Sequence, residues 1–200
     1  MLSEMREVKL EPGVISYNIG ISACEKGGQW ERALSLLRAL SASRLQQNVV
    51  CHSAGISACA KGGQWQHALS VLGEMWGLLL EPNTISYNAG ISSCERGLQW
   101  QRALHLLGEL SEVKLQPSVI SYSGAVSACE KAGEWQHALS LLRLSVEAIL
   151  EVDVVVYSAA ISACGKGGQW TYAMFLLGEM LELRLDPEVI SYNAGISACE

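Results

Sequence analysis

The sequence predicts an all-α solenoid of 35-residue helix-turn-helix repeats, and three observations carry that prediction. Trp30, Trp65, Trp100, Trp135 and Trp170 recur every 35 residues, and so do Cys24, Cys59, Cys94, Cys129, Cys164 and Cys199. A fixed period of this size marks a supersecondary unit that cannot bury its apolar face alone and stacks on copies of itself. Each period is divided by a glycine-rich point, and its second half carries apolar residues at helical spacing.

Taken in order, residues 1–13 (MLSEMREVKLEPG) align with LLGEMLELRLDPE near the other end and read as the C-terminal part of a repeat. They have neither the apolar core of a signal peptide nor the Arg/Ser-rich pattern of a transit peptide. Five full repeats follow at 14–48, 49–83, 84–118, 119–153 and 154–188, and 189–200 reads as the first helix of one more. Two half-repeats without polar capping units predict a piece of a longer array.

Within a repeat, the first half places Tyr17, Ile21 and Cys24 at i, i+4 and i+7 among small residues. The β-branched Val14 and Ile15 weaken its helix propensity, so stacking has to hold it in place. Gly27-Gly28, Gly62-Gly63, Gly97, Gly133 and Gly167-Gly168 are expected to supply the left-handed cap that ends this helix. In the second half Trp30, Ala33, Leu34, Leu37 and Leu40 form one apolar stripe, which makes the tryptophan a core residue by expectation. Pro12, Pro82, Pro117 and Pro187 mark where second helices must stop. Asn48, Asn83, Ser118 and Asp153 then stand where helix N-caps are wanted.

Composition narrows the function classes. The chain has no uncharged apolar run near the roughly 18 residues of a membrane span, so no membrane contact is expected. Its net charge of -6 and pI near 5.3 oppose generic polyanion binding. Six of the seven cysteines share one repeat position. Stacked helices lie about 8–10 Å apart, beyond the roughly 7 Å Cα separation a disulfide tolerates. The cysteines are therefore expected to be reduced and buried. There is no CxxC, and His52, His67, His105 and His137 have no second His or Cys at i+4, so no metal is expected. His52 replaces the repeat's tyrosine, and all four histidines read as solvated or satisfied. The sequence also lacks GxxxxGK[ST] and GxSxG, so neither a catalytic residue nor a cofactor or small-molecule substrate is expected.

A 35-residue two-helix unit with Tyr-Asn near its start, Ala-Cys-x-Lys-x-Gly at the turn and Ala-Leu-x-Leu-Leu in the second helix resembles the pentatricopeptide repeat family. Tetratricopeptide repeats have a period of 34 and a Trp-x2-Leu-Gly-x2-Tyr opening that is absent here. The resemblance covers essentially the whole chain. It implies a right-handed superhelix that binds single-stranded RNA at one base per repeat.

On that resemblance the residue after the first-helix tyrosine and the last residue of the repeat face the base. These pairs are Asn18 with Asn48, Ser53 with Asn83, Asn88 with Ser118, Ser123 with Asp153, and Ser158 with Glu188, while Asn193 lacks a partner. The first four imply C, A, a pyrimidine and G; Ser158 with Glu188 departs from the usual pairs and is assigned no base. The aliphatic position that packs on base faces falls on Ile15, Val50, Ile85, Ile120, Val155 and Ile190. The phosphate-contacting position falls on Lys26, Lys61, Arg96, Lys131 and Lys166, basic in every repeat of an acidic chain. Relatives of this family act mainly in mitochondria and plastids, which implies mitochondrion or chloroplast. Some relatives carry a zinc deaminase domain, but its H-x-E and P-C-x-x-C pattern is absent.

Each of these residues also has a plainer explanation. Asn48, Asn83, Ser118 and Asp153 suit N-caps, a role that can coexist with base reading. Lys26 and its equivalents suit a helix C-terminus through the macrodipole, and Ile15 and its equivalents are by default inter-repeat core. The family's basic residue before the proline is replaced by Glu11, Glu81, Gln116, Glu151 and Asp186, and the acids among them oppose phosphate. The competing expectation is a scaffold that takes protein partners in the same groove.

Overall fold

The computed structural model describes residues 13–43, 45–148, 153–185, 187 and 189–197, and of Ile190 and Ser197 the backbone only. Glu188, the Ile190 side chain, the predicted half-repeat over 1–12, Glu151, Asp186 and Cys199 lie outside the described residues. The described residues form helical hairpins and no strand. First helices are α1 (Val14–Lys26), α3 (Val49–Lys61), α5 (Thr84–Arg96), α7 (Val119–Ala132), α9 (Val154–Lys166) and α11 (Val189–Ser197). Second helices are α2 (Trp30–Ala42), α4 (Trp65–Gly77), α6 (Trp100–Glu112), α8 (Trp135–Glu147) and α10 (Trp170–Glu182).

The chain divides into two compact units, Met1–Gly97 and Leu98–Glu200. In the first, α1, α3 and α5 pack side by side as one layer, and α2 and α4 each lodge against the first helices on either side. In the second, α7, α9 and α11 form the equivalent layer, backed by α6, α8 and α10. This is the α-solenoid arrangement, in which each hairpin buries its apolar face against the next.

The core follows the period. Ile21, Ile56 and Ile91 in the first unit, and Val126 and Ile161 in the second, are completely buried at the middle of their first helices. Ala33, Ala68, Ala103, Ala138 and Ala173 meet that layer from the second helices without a long side chain to hold the layers apart. Leu40, Met75, Leu110 and Met180 close each hairpin. At the equivalent place in α8 stands Ser145, whose buried hydroxyl donates 2.7 Å to the Leu142 carbonyl. Cys59, Cys94, Cys129 and Cys164 are buried thiols that take part in no disulfide. Burial pushes the thiols of Cys59, Cys129 and Cys164 up to about 11, so at neutral pH they are small apolar groups rather than nucleophiles. His52 is buried and satisfied, with Nδ1 3.1 Å from the Asn48 carbonyl.

Two expectations need correction. The tryptophans are not core: Trp30, Trp65, Trp100 and Trp135 are half-buried and Trp170 is 55% exposed. They lie at the inter-hairpin edge, where Trp30 rests on His67 (ring centroids 5.2 Å apart), Trp100 on His137 (4.7 Å) and Trp135 on Tyr172 (5.6 Å). An indole at the first helical position is too large for a seam lined by alanine, and it packs along the next turn instead.

The second correction concerns the third turn, where Gly97 keeps φ of -85° and does not supply the left-handed cap. The first glycine of each pair keeps an ordinary φ, as Gly27 (-85°) and Gly62 (-81°) show. The left-handed residues are Gly28, Gly63, Gly133 and Gly168. Around Gly28 the Gln29 N–H reaches the Cys24 carbonyl (2.9 Å) and the Gly28 N–H reaches Glu25 (3.2 Å), which is the Schellman pattern. At the third turn this place is held by Leu98 at φ 56°, and the second helices end on Leu79, Lys114 and Arg184 in the same left-handed region. A Cβ there costs roughly 1–2 kcal/mol. Leu98→Gly and Leu79→Gly are accordingly expected to raise stability by about 1 kcal/mol each after the entropy of the unfolded glycine is discounted, measurable as a higher urea midpoint at unchanged m-value.

Candidate nucleic-acid interface

An α-helix turns once in 3.6 residues, so positions eleven apart fall on almost the same face and positions three apart lie within 60° of it. Ile15, Asn18 and Lys26 therefore share one face of α1, and their equivalents do so on each later first helix. The structure leaves the aliphatic residues of this face open: Ile15 is 75% exposed, Val50 63%, Ile85 64%, Ile120 63% and Val155 56%. The default reading of these residues as inter-repeat core is thus overturned. They sit at the second position of their helices, where the backbone carries them past the neighbouring hairpin while Ile21, Ile56 and Ile91 fill the interior. Within each unit a solvated β-branched side chain recurs at the same place on successive first helices, an apolar strip open to solvent.

The polar residues around the strip divide by environment. Asn48 and Asn83 are N-caps: Asn48 Oδ1 accepts from the Cys51 N–H and Asn83 Oδ1 from the Ser86 N–H, each at 3.0 Å. Ser118 forms a capping box with Ser121. Asp153 makes no side-chain cap bond, and its carboxylate is exposed. Among the first-helix residues, Asn18, Asn88, Ser123 and Ser158 are half-buried and Asn193 is exposed. Ser53 is only 6% exposed; its hydroxyl lies 2.8 Å from the Val49 carbonyl and 2.7 Å from Ser86 Oγ. Ser158 Oγ meets Ser191 Oγ at the same 2.7 Å, whereas Ser123 Oγ donates to its own helix at Ile120 (3.2 Å). The Asn18 Oδ1 is buried and has no hydrogen-bond partner among the described residues.

Lys26, Lys61, Arg96, Lys131 and Lys166 are all exposed near the C-termini of first helices. Two of them are held by acids of the preceding hairpin. Lys61 Nζ lies 3.0 Å from Glu25 Oε1, and Lys166 Nζ lies 2.6 Å from Glu130 Oε1, which also accepts from Ser162 Oγ at 2.8 Å. Arg96 Nη1 reaches the Lys61 carbonyl at 3.5 Å. Exposed ion pairs of this kind hold with at most about 1 kcal/mol, so a phosphate can displace the glutamate. Among the described residues no cluster of His, Cys, Asp or Glu is arranged to hold a metal, and no helix is long and apolar enough to cross a membrane.

The fold and the strip together define a helical-repeat protein that presents one aliphatic, one small polar and one basic side chain per hairpin. Family models agree on which kind: the pentatricopeptide repeat domain matches residues 35–96 and 140–200, and the PPR repeat matches 15–44 and 120–148. The chain belongs to the pentatricopeptide repeat family. No curated protein sequence matches it.

Solved structures reproduce the fold. The pentatricopeptide repeat protein PPR10 from maize matches 98% of this chain at 23% identity and a TM-score of 0.75. PPR10 in complex with an 18-nt psaJ RNA element matches 94% at 22% identity and 0.81. The PPR domain of Arabidopsis thaliana protein-only RNase P 1, in complex with tRNA, matches 90% of this chain and 94% of its own at 14% identity and 0.77. The chain spans 28% of the length of PPR10.

Proposed function

We propose that this chain binds single-stranded RNA through the exposed face of its first helices, one base per hairpin, and that it serves organellar RNA processing, stability or translation as a binding element rather than a catalyst. The observation that carries the reading is the strip Ile15, Val50, Ile85, Ile120 and Val155, which stays in water at 56–75% exposure while Ile21, Ile56, Ile91, Val126 and Ile161 of the same helices are completely buried. Flat apolar bases inserted beside these side chains remove that area from water whatever their identity. The polar pairs then give selectivity, and the basic residues at the far end of each helix meet phosphates. Support for RNA as the ligand comes from family membership and from the RNA-bound complexes of PPR10 and the RNase P domain. A location in mitochondrion or chloroplast follows from the same kinship.

Fluorescence anisotropy with an RNA containing CACG against a scrambled sequence tests the reading. About five phosphate contacts give a log–log salt slope of about -3.5 for a single strand. Replacing Glu25 and Glu130 by Gln releases Lys61 and Lys166, and is expected to tighten binding severalfold and steepen the slope. Equal binding of both RNAs would remove the selective reading. A protein partner retained after ribonuclease digestion, with no crosslinked RNA, would favour the scaffold instead.

A further inference from the structure

The residue immediately after each strip aliphatic is a serine, a cysteine or a valine. It is Ser16 in α1, Cys51 in α3, Ser86 in α5, Ser121 in α7, Val156 in α9 and Ser191 in α11. Ser86 is fully buried, and it touches both members of one predicted base-reading pair. Its Oγ lies 2.7 Å from Ser53 Oγ and 3.0 Å from Asn83 Oδ1, and its N–H donates to that same Oδ1 at 3.0 Å. Ser53 and Asn83, far apart in sequence, thus meet at a single hydroxyl.

Counting protons fixes what the pair presents. Each hydroxyl has one hydrogen to donate. Either Ser53 donates to the Val49 carbonyl (2.8 Å) and Ser86 donates to Ser53, or Ser53 donates to Ser86 and Ser86 donates to Asn83. In both arrangements the two hydroxyl protons are used inside the protein. Ser53 therefore faces a ligand as an acceptor only. The backbone N–H of Ser86 requires an oxygen opposite it, so the amide of Asn83 is oriented with Nδ2 left to donate.

The second unit contains both versions of this arrangement. Ser191 is buried and bonded to Ser158 as Ser86 is to Ser53. Val156 has no hydroxyl; there Ser123 turns to its own Ile120 carbonyl, and Asp153 makes no side-chain cap bond. Serine thus holds the first-helix member of the pair at Ser53 and at Ser158, and where valine stands Ser123 is not held.

We propose that this position is a specificity-positioning residue: Ser86 holds Ser53 and Asn83 in one acceptor–donor pattern that discriminates sharply among bases, while Val156 leaves Ser123 and Asp153 to read their base less strictly. The inference rests on the RNA reading above. It adds a residue that touches no base and acts through the two that do.

The test uses two sets of four RNAs, differing only at the base opposite residues Ser53/Asn83 or only at the base opposite Ser123/Asp153, and the whole chain as wild type, Ser86→Val, Ser86→Thr and Val156→Ser. Ser86→Val is expected to narrow the spread of Kd across the first set by about fivefold, the scale of one lost hydrogen bond, and to leave the second set unchanged. Ser86→Thr keeps the hydroxyl and the spread. Val156→Ser widens the spread across the second set, which protects the test should Ser86→Val unfold. A merely structural serine would weaken all four RNAs together and lower the melting temperature without altering their ratios. Unaltered ratios in folded, RNA-binding variants overturn the proposal, and a wild type that binds none of the eight RNAs overturns the RNA reading beneath it.

Discussion

Val50→Asn with Ile85→Asn is expected to weaken RNA binding about 100-fold while leaving thermal unfolding where it is. In the proposed function the two side chains would flank one base, and each offers more than half of its surface to solvent. Covering an aliphatic face with a base is worth about 1–3 kcal/mol, so removing two such faces costs about 2–3 kcal/mol, or roughly two decades in Kd. Substitutions at exposed sites ordinarily move stability by no more than about 0.5 kcal/mol. Had these residues been the inter-repeat core, burying two amides without partners would instead cost several kcal/mol of stability. Parallel titration and melting curves separate the cases. A large drop in melting temperature with RNA affinity preserved would return the strip to a structural role and take the central argument for the proposed function with it.

That strip shows how far the sequence can be read and where reading stops. The hairpins were legible because the Ala33–Leu34–Leu37–Leu40 stripe and its repeats have a single physical solution, a helix with one buried face, and all four residues are buried. Ile15 was not legible in the same way. A β-branched residue at the start of a helix satisfies the demands of a core and of a ligand surface equally, and only the offset between neighbouring hairpins decides which it meets. The tryptophans misled for a related reason, since their periodicity belongs to the apolar stripe but their volume does not fit it; the glycine beside each turn was the available signal. The meeting of Ser53, Ser86 and Asn83 was hidden because it depends on the register of α3 against α5. That register is carried by backbone geometry and small-residue packing rather than by any motif. Capping by Asn48, Asn83 and Ser118 was legible, because an oxygen just before a helix has unsatisfied N–H groups to meet whatever else it does. The predicted acceptor Asp153 falls outside that rule, with no cap bond from its side chain.

Gly97→Ala is expected to lower stability by about 1–3 kcal/mol, through a steric collision rather than through backbone strain. The residue has φ of -85°, which any amino acid adopts. A methyl there would lie 2.3 Å from Trp65 Cδ1, 2.7 Å from Cγ and 3.1 Å from Cβ, so the indole cannot simply swing its far edge away. Gly62 against Trp30 and Gly167 against Trp135 repeat the same approach, at 2.4 and 2.3 Å to Cδ1. At the fourth turn Ala132 occupies this place, and there the helix runs 14 residues instead of 13 before it reaches the left-handed Gly133. The methyl is thus compatible with the family of hairpins, but alongside a different local ending. Trp65→Leu alone should also destabilise, by losing the apolar area of the indole. Combined with Gly97→Ala it should recover part of the loss, because the smaller side chain vacates the volume the methyl needs. A double-mutant cycle in urea should then give a favourable coupling of about 1 kcal/mol or more. Strict additivity of the two single changes would show that the close approach of glycine and indole is incidental, and that the edge between hairpins is held by something other than this contact.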